Sequence, residues 1–400
     1  MRATSLSYQE GYADRRILEA AQSRQGALVD LLRKMVEIES PSDDKAAVNC
    51  CVDVVAEESS RLGGRVRPHR QKEFGDLLEV RFGPRSRRHR PVLLLGHLDT
   101  VWPLGTLKDM PFRIAEGRVW GPGVLDMKAG VAMALTAIEI LSAVDGLTRP
   151  VIMLLNSDEE VGSTCSRALT EKLASECEAV FVLEPAQGLA GAYKTARKGV
   201  GDYTVRVRGV ASHSGVDFER GHSAVVELAR QIGRIVEFTD LGRGITVNPG
   251  IVAGGTRSNV VAAEAWAEVD IRIARMRDAA GLEKKFRALR PMDKQCTVTV
   301  EGGLNRPPME RTRGTVALFR KAANIAESFG FSLKEAATGG GSDGNFTSAL
   351  GVATLDGMGA VGEGAHARHE SLLIEHLAPR TALLAAMMTN GNTRTSDTQG

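Results

Sequence analysis

Aromatic side chains are scarce in this chain, 4% of 400 residues, which argues against a groove of rings that stack nucleobases. Net charge is small as well, a formal +2, so no bulk electrostatic attraction to nucleic acid or to an anionic membrane is expected. The one basic run, RFGPRSRRHR at 81–90, holds a Gly-Pro turn signal between two strand-like segments and reads as a solvated hairpin or loop. Cysteine is sparse. Cys50, Cys51, Cys165, Cys177 and Cys296 are odd in number and show no CxxC spacing, which excludes a disulfide framework and fits reduced thiols in a cytoplasmic protein. The N-terminal MRATSLSYQEGYADRRILEAAQ lacks an apolar segment of signal-peptide type, and no uninterrupted apolar run approaches transmembrane length. Secretion and membrane insertion are therefore not expected. No internal repeat is present, and the polar tail from Asn390, NGNTRTSDTQG, reads as disordered.

Against these absences stands a 43% apolar content, enough for substantial cores in two or three domains. The apolar residues fall in runs that stop abruptly. PVLLLGHLDT (91–100), VIMLLNSDEE (151–160) and AVFVLEP (179–185) each pass from four to six apolar residues straight into polar chemistry. Such runs read as buried parallel strands, and in open α/β sheets ligands bind beyond the C-terminal ends of the strands. His97, Glu160 and Glu184 would then converge although they lie far apart in the chain. Asp126 joins them from GPGVLDMKAG, where Gly121, Pro122 and Gly123 make a turn before a helix marked by Val131, Leu135, Ile138 and Leu141 at one-face spacing. With His366, these five side chains are candidate ligands, of residue types able to hold divalent cations.

Local spacing suggests a division of labour. His97 and Asp99 are two apart, so on an extended strand end they point the same way, and the Asp99 carboxylate is expected to accept the N–H of the non-ligating nitrogen of His97. Glu159 and Glu160 are adjacent and expected to diverge, one free to bind a cation and the other to move a proton. An HxD pair or an acidic pair alone is common by chance. Three successive strand ends carrying such residues are a stronger signal than any one of them.

The segments LLLGHLDTVWPLGTL, WGPGVLDMKAGVA, LLNSDEEVGS, VLEP, GVASHSG, GGTRSNVV, GGGSDGNF and GEGAHARHE resemble, in order and spacing, the co-catalytic di-zinc aminoacylase and carboxypeptidase family, most of all the bacterial glutamate carboxypeptidases. The likeness spans roughly residues 25 to 390. It implies one metal held by His97, Asp126 and Glu184 and a second held by Asp126, Glu160 and His366, with zinc the family default and cobalt or manganese compatible with the same donors. GEGAHARHE offers His369 as a competitor, but the family's histidine is followed four or five residues later by a glutamate, here Glu370, which favours His366. The resemblance further implies that Glu159 is the general base, that Asp99 orients His97, and that His213 is an oxyanion donor reaching a neighbouring subunit's site. Asn259, Arg272 and Arg306 fall on family positions associated with substrate or transition-state binding, and Gly340 is a further candidate contact. An arginine fork suits a free α-carboxylate, and the glycines at 339–341 let backbone approach a ligand closely.

The pattern changes near residue 199. GDYTVRVRG from Gly201 alternates, placing Tyr203, Val205 and Val207 on one face. A helix with Val225, Leu228, Ile232 and Ile235 at core spacing follows, then ITVNPGIVAG, AEAWAEVDIRIA, a helix from about Asp278 to Arg290, and CTVTVEG. That βαββαβ order is ferredoxin-like. The fold class expected is α/β: a discontinuous zinc-peptidase catalytic domain, 1–198 plus 312–400, with a mainly parallel sheet flanked by helices. An α+β lid or dimerisation domain, 199–311, is inserted into it. The expected activity is metal-dependent hydrolysis of an amide, releasing a C-terminal amino acid such as glutamate from a peptidyl or N-acyl conjugate. Alternatives are an amidohydrolase of the same scaffold acting on N-acyl amino acids, carbamoyl groups or aromatic amines, and a non-catalytic binding protein. A small amide or peptide substrate and a second copy of the chain are the expected partners, with no nucleic acid and no membrane.

Overall fold

Three of the apolar runs form strands that are buried on both faces, as their lack of alternation demands. In the computed structural model, which describes residues 2–86, 88–144 and 146–389 (of 2–14 the backbone alone), the strands Val92–His97, Val151–Asn156 and Ala179–Val182 are buried along their whole length. Odd and even residues serve different cores. Val92, Leu94, Val151, Met153, Leu155 and Phe181 face one apolar cluster, while Leu93, Leu95, Ile152, Leu154, Val180 and Val182 face another. Helices cover both sides of the sheet, so neither face can be polar. The tail from Asn390 lies outside the described residues.

The six-stranded sheet runs, edge to edge, Arg65–His69, Leu77–Phe82, Val151–Asn156, Val92–His97, Ala179–Val182 and Ala353–Leu355. The last four are mutually parallel, and Leu77–Phe82 is antiparallel to its neighbours on both sides. The first, larger core lies between this sheet and the helices Ala129–Val144 and Leu377–Met388, with the long N-terminal helix Arg2–Val36 packed on them. On the other face Leu173, Ala174 and Cys177, from the helix Arg167–Glu176 and the residue that ends it, close the second core. The stretch Val124–Val144 is long and apolar enough by average composition to cross a bilayer, although Asp126, Lys128 and Glu139 interrupt its apolar residues. It is 78% buried inside the protein, which makes it a core helix. A smaller antiparallel sheet is built from Gly362–Glu363, Ser371–Leu373, Arg118–Trp120 and Arg113–Ala115.

The chain divides into two compact units. The first comprises residues 1–195, 311–337 and 342–400, the second 196–310 and 338–341. The short return of 338–341 could not be read from sequence pattern. It follows from hydrogen bonds of Lys198 N to the Thr338 carbonyl and of the Arg197 guanidinium to the carbonyls of Gly340 and Gly341. Within the second unit the order is strand Gly199–Arg208, helix Ala224–Val236, strands Thr246–Gly254 and Glu264–Ile273, helix Ala279–Arg287 and strand Thr297–Arg306. All pairings are antiparallel, and the first strand lies between the fourth and third. This is the ferredoxin-like arrangement. Tyr203, Val205 and Val207 are buried beneath the helices while Asp202, Arg206 and Arg208 are exposed, and Tyr203 stacks on Phe286 with ring centroids 3.9 Å apart.

Candidate active site

Parallel strands end on the same edge of a sheet, and here that edge collects the acidic and imidazole residues. His97 is the last residue of its strand, Glu184 lies two beyond Val182, and Glu159 and Glu160 lie in the turn after Asn156. The small sheet supplies the other two. Arg118–Trp120 pairs with Ser371–Leu373, so the turn carrying Asp126 is held beside the connection from Glu363 to Ser371 that carries His366. At Asp126 the backbone is not helical (φ −113°, ψ 95°), which directs its carboxylate out of the helix that begins at Ala129. His366 takes a left-handed conformation, φ 62°. For a non-glycine residue that costs on the order of 1 kcal/mol or more, and it turns the ring toward Asp126 and Glu160.

Asp126 lies between the two histidines. Its Oδ1 is 3.4 Å from Nε2 of His97, which is also 3.6 Å from Oε1 of Glu184. Its Oδ2 is 3.3 Å from Nε2 of His366, which is 3.2 Å from Glu160. His97 Nε2 and Asp126 Oδ1 are buried, and neither has a hydrogen-bond partner. Orphaned buried atoms of this kind call for a partner that touches both. Ligand atoms about 2.0–2.2 Å from one cation, at tetrahedral angles, stand about 3.3–3.6 Å from each other. The four separations are of that size, so the donor set fits divalent cations. Oxygens of Asp126 and Glu160, and separately of Glu159 and Glu184, also gather within 4.8 Å of a ring nitrogen of His97. Glu159 and Glu160 thus fall in different groups, Glu160 with Asp126 and Glu159 with Glu184.

Burial alone would lower the basicity of His97, but the carboxylates of Asp126, Asp99 and Glu184 outweigh it and push the ring's pKa well above its ordinary value. At His366, Asp126 and Glu160 raise the pKa to about 10. Asp126 is itself buried, which raises its pKa, yet His366 and His97 together hold the carboxyl far below the ordinary range. Glu160 moves upward, chiefly through burial. Charges confined in this way are the signature of a functional site.

Asp99 behaves differently from expectation. Nδ1 of His97 lies 2.8 Å from the backbone carbonyl of Asp99, nearer than the 3.4 Å to its carboxylate. The Asp99 carboxylate instead accepts from the backbone N–H groups of Glu159 (3.3 Å) and Glu160 (3.1 Å) and from the Ser42 hydroxyl (2.7 Å). One residue therefore sets the tautomer of His97 through its main chain and the pose of the Glu159–Glu160 turn through its side chain. Sequence reading missed Ser42. It missed Asn156 too, whose amide at the strand end donates to Asp343 at 2.6 Å; the GGGSDGNF segment was its only signal. Lys128, two residues from Asp126, points away, its ammonium donating to the carbonyls of Met35 and Ile38. His369 is exposed with its ring over Gly364.

The other expected residues belong to the second unit. His213 and Asn259 are exposed neighbours: His213 forms a β-bridge with Val260, and Ser214 N donates to the Asn259 carbonyl at 3.0 Å. Nδ1 of His213 accepts from Gly215 N at 3.1 Å, which leaves the proton of a neutral ring on Nε2. Arg272 and Arg306 gather at the Gly339–Gly341 segment. Arg272 is forked onto Asp270 (2.8–3.1 Å) and reaches the Gly339 carbonyl at 3.5 Å. A Cβ at Gly341 would stand 3.0 Å from Cδ of Arg306 and 2.8 Å from Val200, so glycine is required for the fit. Buried Arg197 is a third arginine there, one that sequence reading did not pick out.

The profile of peptidase family M20/M25/M40 matches residues 93–390. The chain belongs to that family. As a member of the M20 peptidases it is a metal-dependent hydrolase that cleaves an amide bond and releases a terminal amino acid, and the enzymes of the family use divalent metal ions. Carboxypeptidase G2 of Pseudomonas sp. (strain RS-16) is 28% identical over 381 residues, covering 94% of this chain and 91% of that protein. Aminopeptidase PepT from Bacillus cereus ATCC 10987 matches in structure with a TM-score of 0.76 at 21% identity, covering 91% of this chain and 98% of that one. The M20 family metallo-carboxypeptidase Sso-CP2 from Sulfolobus solfataricus gives 0.73 at 16% identity, covering 90% and 98%. At such identities these two structural likenesses concern the fold alone.

Proposed function

We propose that this M20 peptidase is a carboxypeptidase that removes a C-terminal glutamate or similar amino acid from a peptidyl or N-acyl conjugate, using two divalent ions, zinc by default with cobalt or manganese able to substitute. The observation that carries the reading is the carboxylate of Asp126, each oxygen of which faces a different histidine. His97, Asp126 and Glu184 would hold one ion and Asp126, Glu160 and His366 the other. Bound there, two cations supply charge that acidifies water and polarises the scissile carbonyl.

The rest of the chemistry falls to the protein's own groups. Glu159 takes a proton from the attacking water and delivers it to the nitrogen of the leaving amine, so the proton is conserved across the step. Asp99 keeps the Glu159–Glu160 turn in place during that transfer. His213, with N–H on Nε2, is suited to donate to the tetrahedral oxyanion. Arg272 or Arg306 supplies a fork for the free α-carboxylate of the substrate, Asn259 a further polar contact, and Gly340 an approachable backbone. The carboxypeptidase relative covering 94% of this chain supports release from the C-terminal side.

We further infer a homodimer made through the second unit. Its edge strand Thr246–Gly254 leaves Ile251 and Val252 exposed, and the nearby helix exposes Val225 and Val226, a pattern suited to strand-to-strand pairing between copies. Light scattering would read about twice the chain mass.

The test is elemental analysis of purified protein together with amino-acid release from α- and γ-linked glutamate, aspartate and neutral conjugates, with and without added zinc, cobalt or manganese. Near two metals per chain and cleavage of acidic conjugates is the expected result. Two metals without cleavage of any C-terminal conjugate would overturn the substrate reading, and no metal would overturn the ligand set.

A further inference from the structure

Glu370 is four residues beyond His366, at the end of the connection between Glu363 and Ser371. Its side chain is buried, and both oxygens are filled by N–H donors from other parts of the chain. Oε1 accepts from the backbone N–H of Leu125 at 2.9 Å and of Asp126 at 3.0 Å. Oε2 accepts from Gly123 N at 2.9 Å and from the Trp102 indole at 2.8 Å. Three segments are thus fastened to one carboxylate: the loop after His97 and Asp99, the turn before the helix Ala129–Val144, and the connection that carries His366.

The need for such an anchor is local. Between Gly123, at φ 69°, and Ala129 the backbone is neither regular helix nor ladder, with Asp126 and Met127 outside helical dihedrals. Buried amides there have no regular partner, and an anionic acceptor forms the stronger class of hydrogen bond with them. The amide of Asp126 itself is among the donors, so Glu370 acts one residue's backbone away from the carboxylate that faces both histidines.

We propose that Glu370 is a positioning residue that presets Asp126 and His366 relative to each other, so that the cage they share exists before a cation enters it. The proposal rests on the two-metal reading above. A preset cage binds tighter than one that must order on binding, because the ordering cost has already been met in folding.

The test compares wild type with Glu370→Gln and Trp102→Phe by chelator-competition titration with zinc, alongside hydrogen exchange of the metal-free wild type. Glutamine keeps the shape but turns an NH₂ toward N–H donors. Zinc binding by the folded variant is expected to weaken by roughly 10–100-fold, the range for residues that orient ligands. Trp102→Phe removes one donor of the four and should leave zinc affinity close to wild type. The amides of Leu125 and Asp126 should already be protected in the metal-free wild type. A folded Glu370→Gln protein with wild-type zinc affinity overturns the proposal. Should that variant not fold, exchange at those two amides decides: protection without metal supports presetting, and exchange at open-loop rates overturns it. A wild type that binds no zinc is a different failure, that of the two-metal reading itself.

Discussion

His366 and Glu159 show how much chemistry single residues concentrate here. In the metal-free protein His366 is protonated up to about pH 10, because Asp126 and Glu160 flank it. Its folded-state pKa lies above the ordinary 6.5, so its stabilising contribution is complete below about pH 6.5 and is lost as pH rises through about 10. Urea midpoints of chelator-treated protein should therefore fall across that window more steeply for wild type than for His366→Asn. The ring is half exposed, so solvent screening keeps the effect modest. If His366 ligates a cation as proposed, its ring is neutral in metal-loaded protein and the difference should vanish. Glu159 makes a kinetic prediction. Glu159→Gln keeps the turn, whose N–H at residue 159 still reaches Asp99, but removes the proposed proton acceptor. Turnover should drop by about 10²–10⁴-fold with metal content unchanged, as paired steady-state kinetics and elemental analysis would read. Full turnover would remove the proposed base.

At the scale of elements, the site depends on a helix pressed against a strand end. Gly130, in the first turn of Ala129–Val144, lies so close to the strand end that an added Cβ would stand 2.0 Å from the carbonyl oxygen of Leu183. Backbone cannot retreat as a flexible side chain can, so Gly130→Ala should separate helix and strand end and cost roughly 1–3 kcal/mol. Glu184 is the next residue along, and the Gly359 N–H meets its carbonyl at 2.9 Å. The same substitution should therefore weaken metal binding as well as lower the thermal midpoint. Calorimetry and metal titration on one preparation would test it, and loss of stability with intact metal affinity would show that Glu184 does not depend on the close contact. The small antiparallel sheet has a comparable role, since its pairing of Arg118–Trp120 with Ser371–Leu373 joins the Asp126 and His366 segments.

For the molecule as a whole, a bound metal should act as a staple across distant parts of the chain. The proposed ligands come from residues 97 to 366, and cations that bind only the folded state stabilise it by mass action, about 4 kcal/mol at a thousandfold excess over Kd. Prolonged chelation should lower the thermal midpoint, and zinc should restore it, followed by circular dichroism. The transition of the second unit should move less, because the proposed ligands all belong to the first. Equal shifts in both would mean that the units unfold as one.

The strands and where they end were legible in the chain's order of residues. Runs such as Val92–Leu95 lack alternation because helices cover both faces, and residue order alone carries that information. It also determined the ferredoxin-like order of the second unit, whose period-two strands and amphipathic helices are local patterns. How groups far apart in the chain divide their tasks came from packing instead. That the carbonyl of Asp99 faces His97 while its carboxylate holds the Glu159–Glu160 turn depends on a turn geometry that spacing does not encode. That one carboxylate, Glu370, gathers the amides of Gly123, Leu125 and Asp126 depends on a pairing of strands some 250 residues apart in the chain. Periodicity reports which face of an element is dry, but the partners of a buried polar group are set by the packing of the whole chain.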